Sequence, residues 1–205
     1  MRCLIFLFVA LTSGCIAAPA ARTTVGVSAV SDPSGDDFLA SELRTAVEPL
    51  AMARETHERP VDVGLGYFVQ TPEAGRPRRQ GPFLSFGVHL WQRPWRKGWM
   101  RFSLRTYGEL FAQDVKLRRS PWGSGVAIAA SFEAALWVRG ASAGARSLAA
   151  YAGAVYGEAG FGVELASGYR HIGDGVGSDL WTTTLSFVLR TPSVVGIGIA
   201  GGLFR

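Results

Sequence analysis

The sequence predicts an all-β protein: an antiparallel up-and-down barrel of about eight strands, preceded by a short N-terminal segment with one amphipathic helix. Along residues 125–139 one parity reads Val126, Ile128, Ala130, Phe132, Ala134, Leu136, Val138. The other reads Gly125, Ala127, Ala129, Ser131, Glu133, Ala135, Trp137, Arg139. Period-two alternation of this kind is a strand with two unlike faces. Such alternation recurs from residue 61 to residue 205, with no charge on the apolar parity. No uninterrupted apolar run of about eighteen residues follows Cys15, so any membrane crossing falls to strands closed into a barrel.

The elements follow in order. Behind Met1 and Arg2 the apolar residues 3–11 are too short to span a bilayer and read as the core of a signal peptide. Two cleavage readings compete. Thr12-Ser13-Gly14-Cys15 resembles a bacterial lipobox, cut before an acylated cysteine, and Ala18-Pro19-Ala20 resembles an ordinary A-x-A site. The lipobox abuts the apolar core and is preferred, which makes 1–14 the signal peptide (alternatively 1–20) and Cys15 the lipidated, palmitate-bearing residue. Either reading removes or acylates both cysteines, Cys3 and Cys15, so disulfide and thiol chemistry are not expected.

Residues 15–60 read as a lipid-anchor linker. Residues 23–30 alternate weakly, Asp32-Pro33-Ser34-Gly35 breaks the pattern, and Asp36 or Asp37 can cap a helix whose Leu39, Leu43, Val47 and Leu50 share a face. The barrel is assigned to 61–205, with strands near 61–70, 82–91, 99–112, 124–139, 147–156, 159–170, 179–190 and 193–204. Their apolar parities include Leu84, Phe86, Phe102, Leu104, Phe161, Val163, Leu185 and Phe187, and the second parity is mostly glycine, alanine and serine with a few charges.

That second face separates two barrels. A soluble, lipocalin-like barrel would turn its large apolar residues inward and show water a face of glycine and alanine, which holds strands poorly. A lipid-embedded barrel turns the same small residues into a narrow lumen. The second arrangement fits. With the first strand at 61 rising from the periplasm, Trp91, Trp95, Trp99, Trp137 and Trp181 fall at one interface and Phe83, Phe111, Trp122 and Tyr156 near the other. Trp91 and Trp137 lie on the inward parity of their strands.

The net charge of +5 is almost all arginine and clusters between strands, at Arg76, Arg78, Arg79, at Arg93, Arg96, Lys97, and at Lys116, Arg118, Arg119. In an exported chain these suit lipid phosphates, lipopolysaccharide or another anionic polysaccharide, or an envelope protein, and not nucleic acid. Arg101, Arg105, Glu133, Glu164 and Arg170, with His89 near them, project onto the inward parity. A hairpin centred on residues 115–117 would bring Glu133 to Arg101 and Arg105, as ion pairs that satisfy charges removed from water.

One stretch, Gly168-Tyr169-Arg170-His171-Ile172-Gly173-Asp174-Gly175, resembles the His-x-Ser-Asn segment of the lipid A 3-O-deacylase family of small outer-membrane barrels. The resemblance implies a histidine, here His171, that activates a serine to cleave an acyl ester. Gly173 stands at the serine position and Asp174 at the asparagine, and the strand assignment puts the segment at the periplasmic end. His57, His89 and His171 are dispersed, so no metal is expected, and no phosphate-cradling glycine loop suggests a cofactor. The expected protein is an outer-membrane, lipid-anchored barrel with a structural or interaction role. A lipid-modifying hydrolase and a tethered lipid-binding barrel are the alternatives.

Overall fold

The computed structural model describes residues 20–33, 35–49, 60–73, 76–113, 122–140, 155–173 and 178–192. These form β1 (Ala20–Ser31), β2 (Asp37–Glu48), β3 (Val61–Pro72), β4 (Arg79–Trp95), β5 (Gly98–Gln113), β6 (Trp122–Gly140), β7 (Val155–Ile172) and β8 (Ser178–Pro192). Every neighbour in the chain is an antiparallel neighbour in the sheet. β1 closes on β8 from Ala20↔Pro192 to Ser31↔Trp181, which makes a closed barrel with no free edge.

The N-terminal segment corrects the expected organisation. Asp37–Glu48 is a strand, not a helix, and with β1 it forms part of the barrel wall, so the wall begins at Ala20 and not near residue 61. Its turn is local chemistry: Gly35 takes φ +84°, its N–H donates to the Asp32 carbonyl at 3.0 Å, and Asp32 Oδ1 accepts from the Asp36 N–H at 3.1 Å. The aspartates expected to start a helix instead build a hairpin. Of the strand expected at 147–156 only residues 155–156 are described, and they belong to β7. Residues 147–154, those expected as a strand at 193–204, Cys15 and the leader lie outside the described residues.

The faces are sharply divided. Between the rims the outward positions carry no charge, and Leu65, Leu84, Val126, Ile128, Phe161 and Leu185 are each at least half exposed. Inward stand seven arginines (Arg22, Arg44, Arg79, Arg101, Arg105, Arg170, Arg190) and seven carboxylates (Glu42, Glu48, Asp62, Glu109, Glu133, Glu158, Glu164), all buried. This is the reverse of a lipocalin-like barrel, and that alternative is set aside.

One rim, here called proximal, carries the starts of β1, β3, β5 and β7 and the ends of β2, β4, β6 and β8; the other is distal. An inward apolar cluster that includes Val30, Phe38, Phe68, Phe83, Phe111, Ile172 and Leu180 fills the distal end of the lumen. Trp91, Trp95, Trp99 and Trp137 sit towards the proximal rim, but Trp181 starts β8 and therefore joins Trp122 at the distal rim. Tyr156 is at the proximal rim for the same reason: the expected fifth strand is not a separate wall strand among the described residues, so the directions of the strands after β6 reverse. Trp91 also changes face. A bulge between His89 and Trp91 turns it outward, where it stacks on Phe132 at 6.4 Å between ring centroids.

Candidate functional site

The lumen holds the densest polar arrangement in the described residues. β1 places Arg22 inward, where its Nε donates to Glu133 at 2.9 Å, its Nη2 to Glu164 at 2.6 Å and its Nη1 to the Tyr107 hydroxyl at 3.0 Å. Arg190 on β8 also binds Glu133 through Nε, and reaches Glu158 at 3.1 Å and Glu48 at 2.8 Å. On the distal side of this group Arg170 grips Glu109 through Nε at 2.6 Å and Glu42 at 3.1 Å, while Arg44 bridges Glu42 at 2.6 Å and Glu109 at 2.8 Å. The Arg44 guanidinium lies 4.5 Å from the Tyr107 ring centroid, which links the two groups.

All of the sequence-derived lumenal residues, Arg101, Arg105, Glu133, Glu164 and Arg170, point inward, but the pairing differs from that expected. Arg101 and Glu133 are direct register partners. The Arg101 side chain nevertheless turns to Asp62 of β3 at 3.0 Å, stacks on Trp99 with its Cζ 3.9 Å from the ring, and donates to Gln92 at 3.2 Å. Arg105 pairs with Glu48 at 2.9 Å and lies 3.6 Å from Asp62. Glu133 is held instead by Arg22 and Arg190. Sequence reasoning missed Arg22, Arg44, Glu42 and Glu48 because their strands read as linker; the signal available was Glu42 and Arg44, opposite charges two residues apart and so on one face of a strand.

Small residues make this packing fit. A Cβ on Gly162 would stand 2.4 Å from the Phe132 carbonyl oxygen and 2.8 Å from Glu133 Cγ, and one on Gly87 would stand 3.1 Å from Arg105 Cζ. The inward glycines are therefore the space into which the charged side chains lie. His89 belongs to the same interior, with Nδ1 2.7 Å from Ser103 Oγ and Nε2 3.1 Å from Asp62. That set is sealed within the wall, and its histidine side chain is 2% exposed. Among the described residues no group of histidine, cysteine and carboxylate side chains could hold a metal.

His171 lies elsewhere. It faces outward at the distal end of β7, not at the proximal end where the sequence reading placed it, and its Nδ1 is 2.8 Å from Asp179 Oδ1 on β8. Gly173, at the family's serine position, follows the strand and donates its N–H to the Trp122 carbonyl at 2.9 Å. The basic loop residues divide likewise. Arg79 is inward and donates to Gln70 at 3.0 Å, Arg76 lies 4.0 Å over the Phe38 ring, and Arg78 is exposed at the distal rim. Arg93, Arg96 and Lys97 are exposed at the proximal hairpin, and Lys116, Arg118 and Arg119 lie outside the described residues.

No protein-family model matches the chain, and no curated protein matches it. Among solved structures it is similar to Neisserial surface protein A, with 8% identity, a TM-score of 0.44, and 84% of this chain and 96% of that one covered. It is also similar to Ail, the attachment invasion locus protein of Yersinia pestis, at 11% identity and TM-score 0.30, with 85% of this chain and 99% of that one covered. A second structure of Ail, in complex with the heparin analogue sucrose octasulfate, gives 12% identity and TM-score 0.28 over 85% and 99% of the two chains.

Proposed function

We propose that the chain is an outer-membrane barrel of a bacterial envelope, tethered by acylated Cys15, with a structural or interaction role exercised through its outer wall and rims. The observation that carries this reading is the division of the wall: an uncharged, apolar exterior around a lumen of seven arginines and seven carboxylates. Water would make the exterior unstable, and lipid makes it favourable. Pairing of β1 with β8 leaves no free strand edge among the described residues, as a hydrocarbon surround demands. The lumen is filled by ion pairs and distal aromatics, so conduction is not the task.

The strand number is even, so both ends of the wall share the proximal rim. A chain inserting from the periplasm then carries only the four distal turns across and leaves the proximal rim, with Cys15 five residues before β1, in the inner leaflet. The distal rim, with exposed Arg78, meets the outer surface, where lipopolysaccharide or another anionic polysaccharide can meet the guanidinium; an envelope protein remains the other class of partner. Fractionation followed by gel electrophoresis with and without boiling tests the reading. A membrane-extracted band whose mobility changes on heating supports it, and a soluble species with unchanged mobility refutes it. Reconstituted chain should leave a planar bilayer non-conducting.

A further inference from the structure

Arg79 stands apart from the other arginines of the lumen. Arg22, Arg44, Arg101, Arg105, Arg170 and Arg190 each have a carboxylate oxygen within 3.0 Å. Arg79 is 4% exposed, makes no ion pair among the described residues, and has its Nε buried without a hydrogen-bond partner. Its Nη1 donates to Gln70 Oε1 at 3.0 Å, and Gln70 Nε2 donates in turn to Glu42 Oε2 at 3.1 Å. Glu42 is already shared by Arg44 at 2.6 Å and Arg170 at 3.1 Å, so the amide links Arg79 to a carboxylate whose charge is matched elsewhere. A guanidinium does not lose its proton in a protein, so burial cannot be relieved by neutralisation. The charge calls for a counter-ion.

The residue lies at the mouth. Arg79 opens β4 at the distal rim, on the inward parity, beside the apolar cluster that ends the lumen. Its Cζ lies 5.8 Å from the centre of the Phe38 ring, and the Cζ of Arg76 lies 4.0 Å from the centre of the same ring. Two cations therefore share one aromatic ring. The Arg76 N–H donates to the Glu73 carbonyl at 3.3 Å, which fixes the turn that carries it. Its side chain is 34% exposed and faces Asp32 at 3.9 Å and Asp36 at 3.7 Å, both beyond hydrogen-bond distance, and the Asp36 side chain is 72% exposed. Contacts of that length, screened by water, hold little. Arg78, between the two in sequence, instead lines the outer wall with Leu43 and Val69.

We propose that Arg76 and Arg79 form an anion site at the distal mouth of the lumen, and that it takes the phosphate monoester of a water-soluble ligand. Such a group carries about −1.5 to −2 charges near neutral pH and offers three acceptor oxygens, which two guanidiniums can divide. One oxygen accepts from Arg79 Nε, and the others accept from Arg76 in place of its long contacts to Asp32 and Asp36. Charge-assisted bonds of this kind are stronger than neutral ones, and the guanidinium fork matches phosphate geometry. Repulsion between the two cations falls at the same time. Because the site lies inside the ring of strands, its ligand arrives from the water above the mouth and not from lipid against the outer wall. That this water is outside the cell rests on the orientation proposed above. The anion site itself does not.

The test uses the full chain folded in detergent micelles at constant ionic strength, with inorganic phosphate or glucose 1-phosphate replacing chloride. Titration calorimetry reads binding, and heat-dependent gel mobility in urea reads stability. Wild-type chain should bind both probes saturably, and its urea midpoint should rise with them as linkage requires. Arg79→Gln and Arg76→Gln should each weaken binding by about tenfold or more, and Arg79→Lys, which keeps the charge and loses the fork, by less. Arg76 is partly exposed, so its variant reads the site even if the Arg79 variants fold poorly. Arg93→Gln, at the opposite rim, should bind as wild type does. Without phosphate the Arg79→Gln midpoint should be no lower than that of wild type, because the substitution removes a buried charge and strands no carboxylate; a merely structural arginine would lower it. A midpoint that rises without saturation, and equally in Arg79→Gln, is the general salting effect of phosphate and overturns the proposal. Binding of inorganic phosphate without glucose 1-phosphate overturns the ester, and binding of phosphatidic acid without either overturns the water-borne ligand. A folded, heat-modifiable chain that binds no probe overturns this proposal alone. A chain that binds phosphate in micelles but never enters vesicles supports the site and overturns the lipid-facing reading.

Discussion

Glu133→Gln tests the interior most directly, because Glu133 is held by two guanidiniums from the two strands that close the barrel. Arg22 reaches it through Nε at 2.9 Å and Nη2 at 2.8 Å, and Arg190 through Nε. Removing one partner of a buried ion pair commonly costs about 3–5 kcal/mol, since the remaining charge stays out of water. Here neither arginine is left without a carboxylate: Arg22 keeps Glu164 at 2.6 Å, and Arg190 keeps Glu158 and Glu48. The substitution should therefore fall at the lower end, about 3 kcal/mol. The assay is equilibrium unfolding in urea from detergent micelles, followed by heat-dependent gel mobility and tryptophan fluorescence. Combining Glu133→Gln with Arg22→Gln or Arg190→Gln should recover part of the sum, a coupling of about 0.5–3 kcal/mol. Arg170→Gln is the control: Arg170 binds Glu109 and Glu42 and shares neither with Glu133, so that double variant should be additive within about 0.5 kcal/mol. Additivity with both Arg22 and Arg190 would refute the closure of β1 on β8 in this register.

Four further outcomes follow from the same wall. Arginine at Phe132 or Val163, outward between the rims, should block bilayer assembly at a cost of about 2–4 kcal/mol, while arginine at inward Ala129 should disturb packing without meeting lipid; folding yield into vesicles compares them. Gly162→Ala should destabilise by about 1–3 kcal/mol in the same urea titration, because its Cβ would press on the β6 backbone and on Glu133. Single-tryptophan chains retaining Trp122 or Trp95 should both be quenched by shallow and not by deep lipid quenchers, and vesicle-impermeant quencher should reach only one of them. Cys15→Ser should abolish labelling by a fatty-acid analogue; label that persists excludes acylation at that residue.

The barrel class was legible because its physical cause is written residue by residue. In β5 to β8 a charge on the outward parity between the rims would face hydrocarbon, so that parity stays uncharged there, while the inward parity is mostly small or charged and turns apolar at Trp99, Tyr107 and Val188 and in the distal cluster of Phe111, Ile172 and Leu180. The N-terminal strands were misread for a geometric reason. Leu39, Leu43 and Val47 recur every four residues, and four is both one turn of a helix and two repeats of a strand, so one face is apolar in either structure. Ser41 and Thr45 complete the outward row, and Glu42, Arg44 and Glu48 the inward one; these intervening residues decide for the strand. The misreading propagated. Without β1 and β2 the interior carboxylates lacked Arg22 and Arg44, so Glu133 was assigned to the arginines of its own hairpin. Register was right for Arg101 and Glu133, but a long side chain in a crowded lumen follows charge and stacking, and Arg101 pairs with Asp62 and Trp99 instead.

The same crowding directs function to the exterior. Among the described residues the lumen is occupied by seven guanidiniums and seven carboxylates that interlock, capped distally by Phe38, Phe68, Phe83 and Phe111, and opening it would strand charges away from water. The inner Asp62–His89–Ser103 chain shows the consequence. His89 Nδ1 lies 2.7 Å from Ser103 Oγ and Nε2 3.1 Å from Asp62 Oδ2, and with a side chain only 2% exposed the histidine is placed among buried polar partners and away from the surface. On the interaction role proposed above, recognition falls where polar side chains meet the edge of the apolar band.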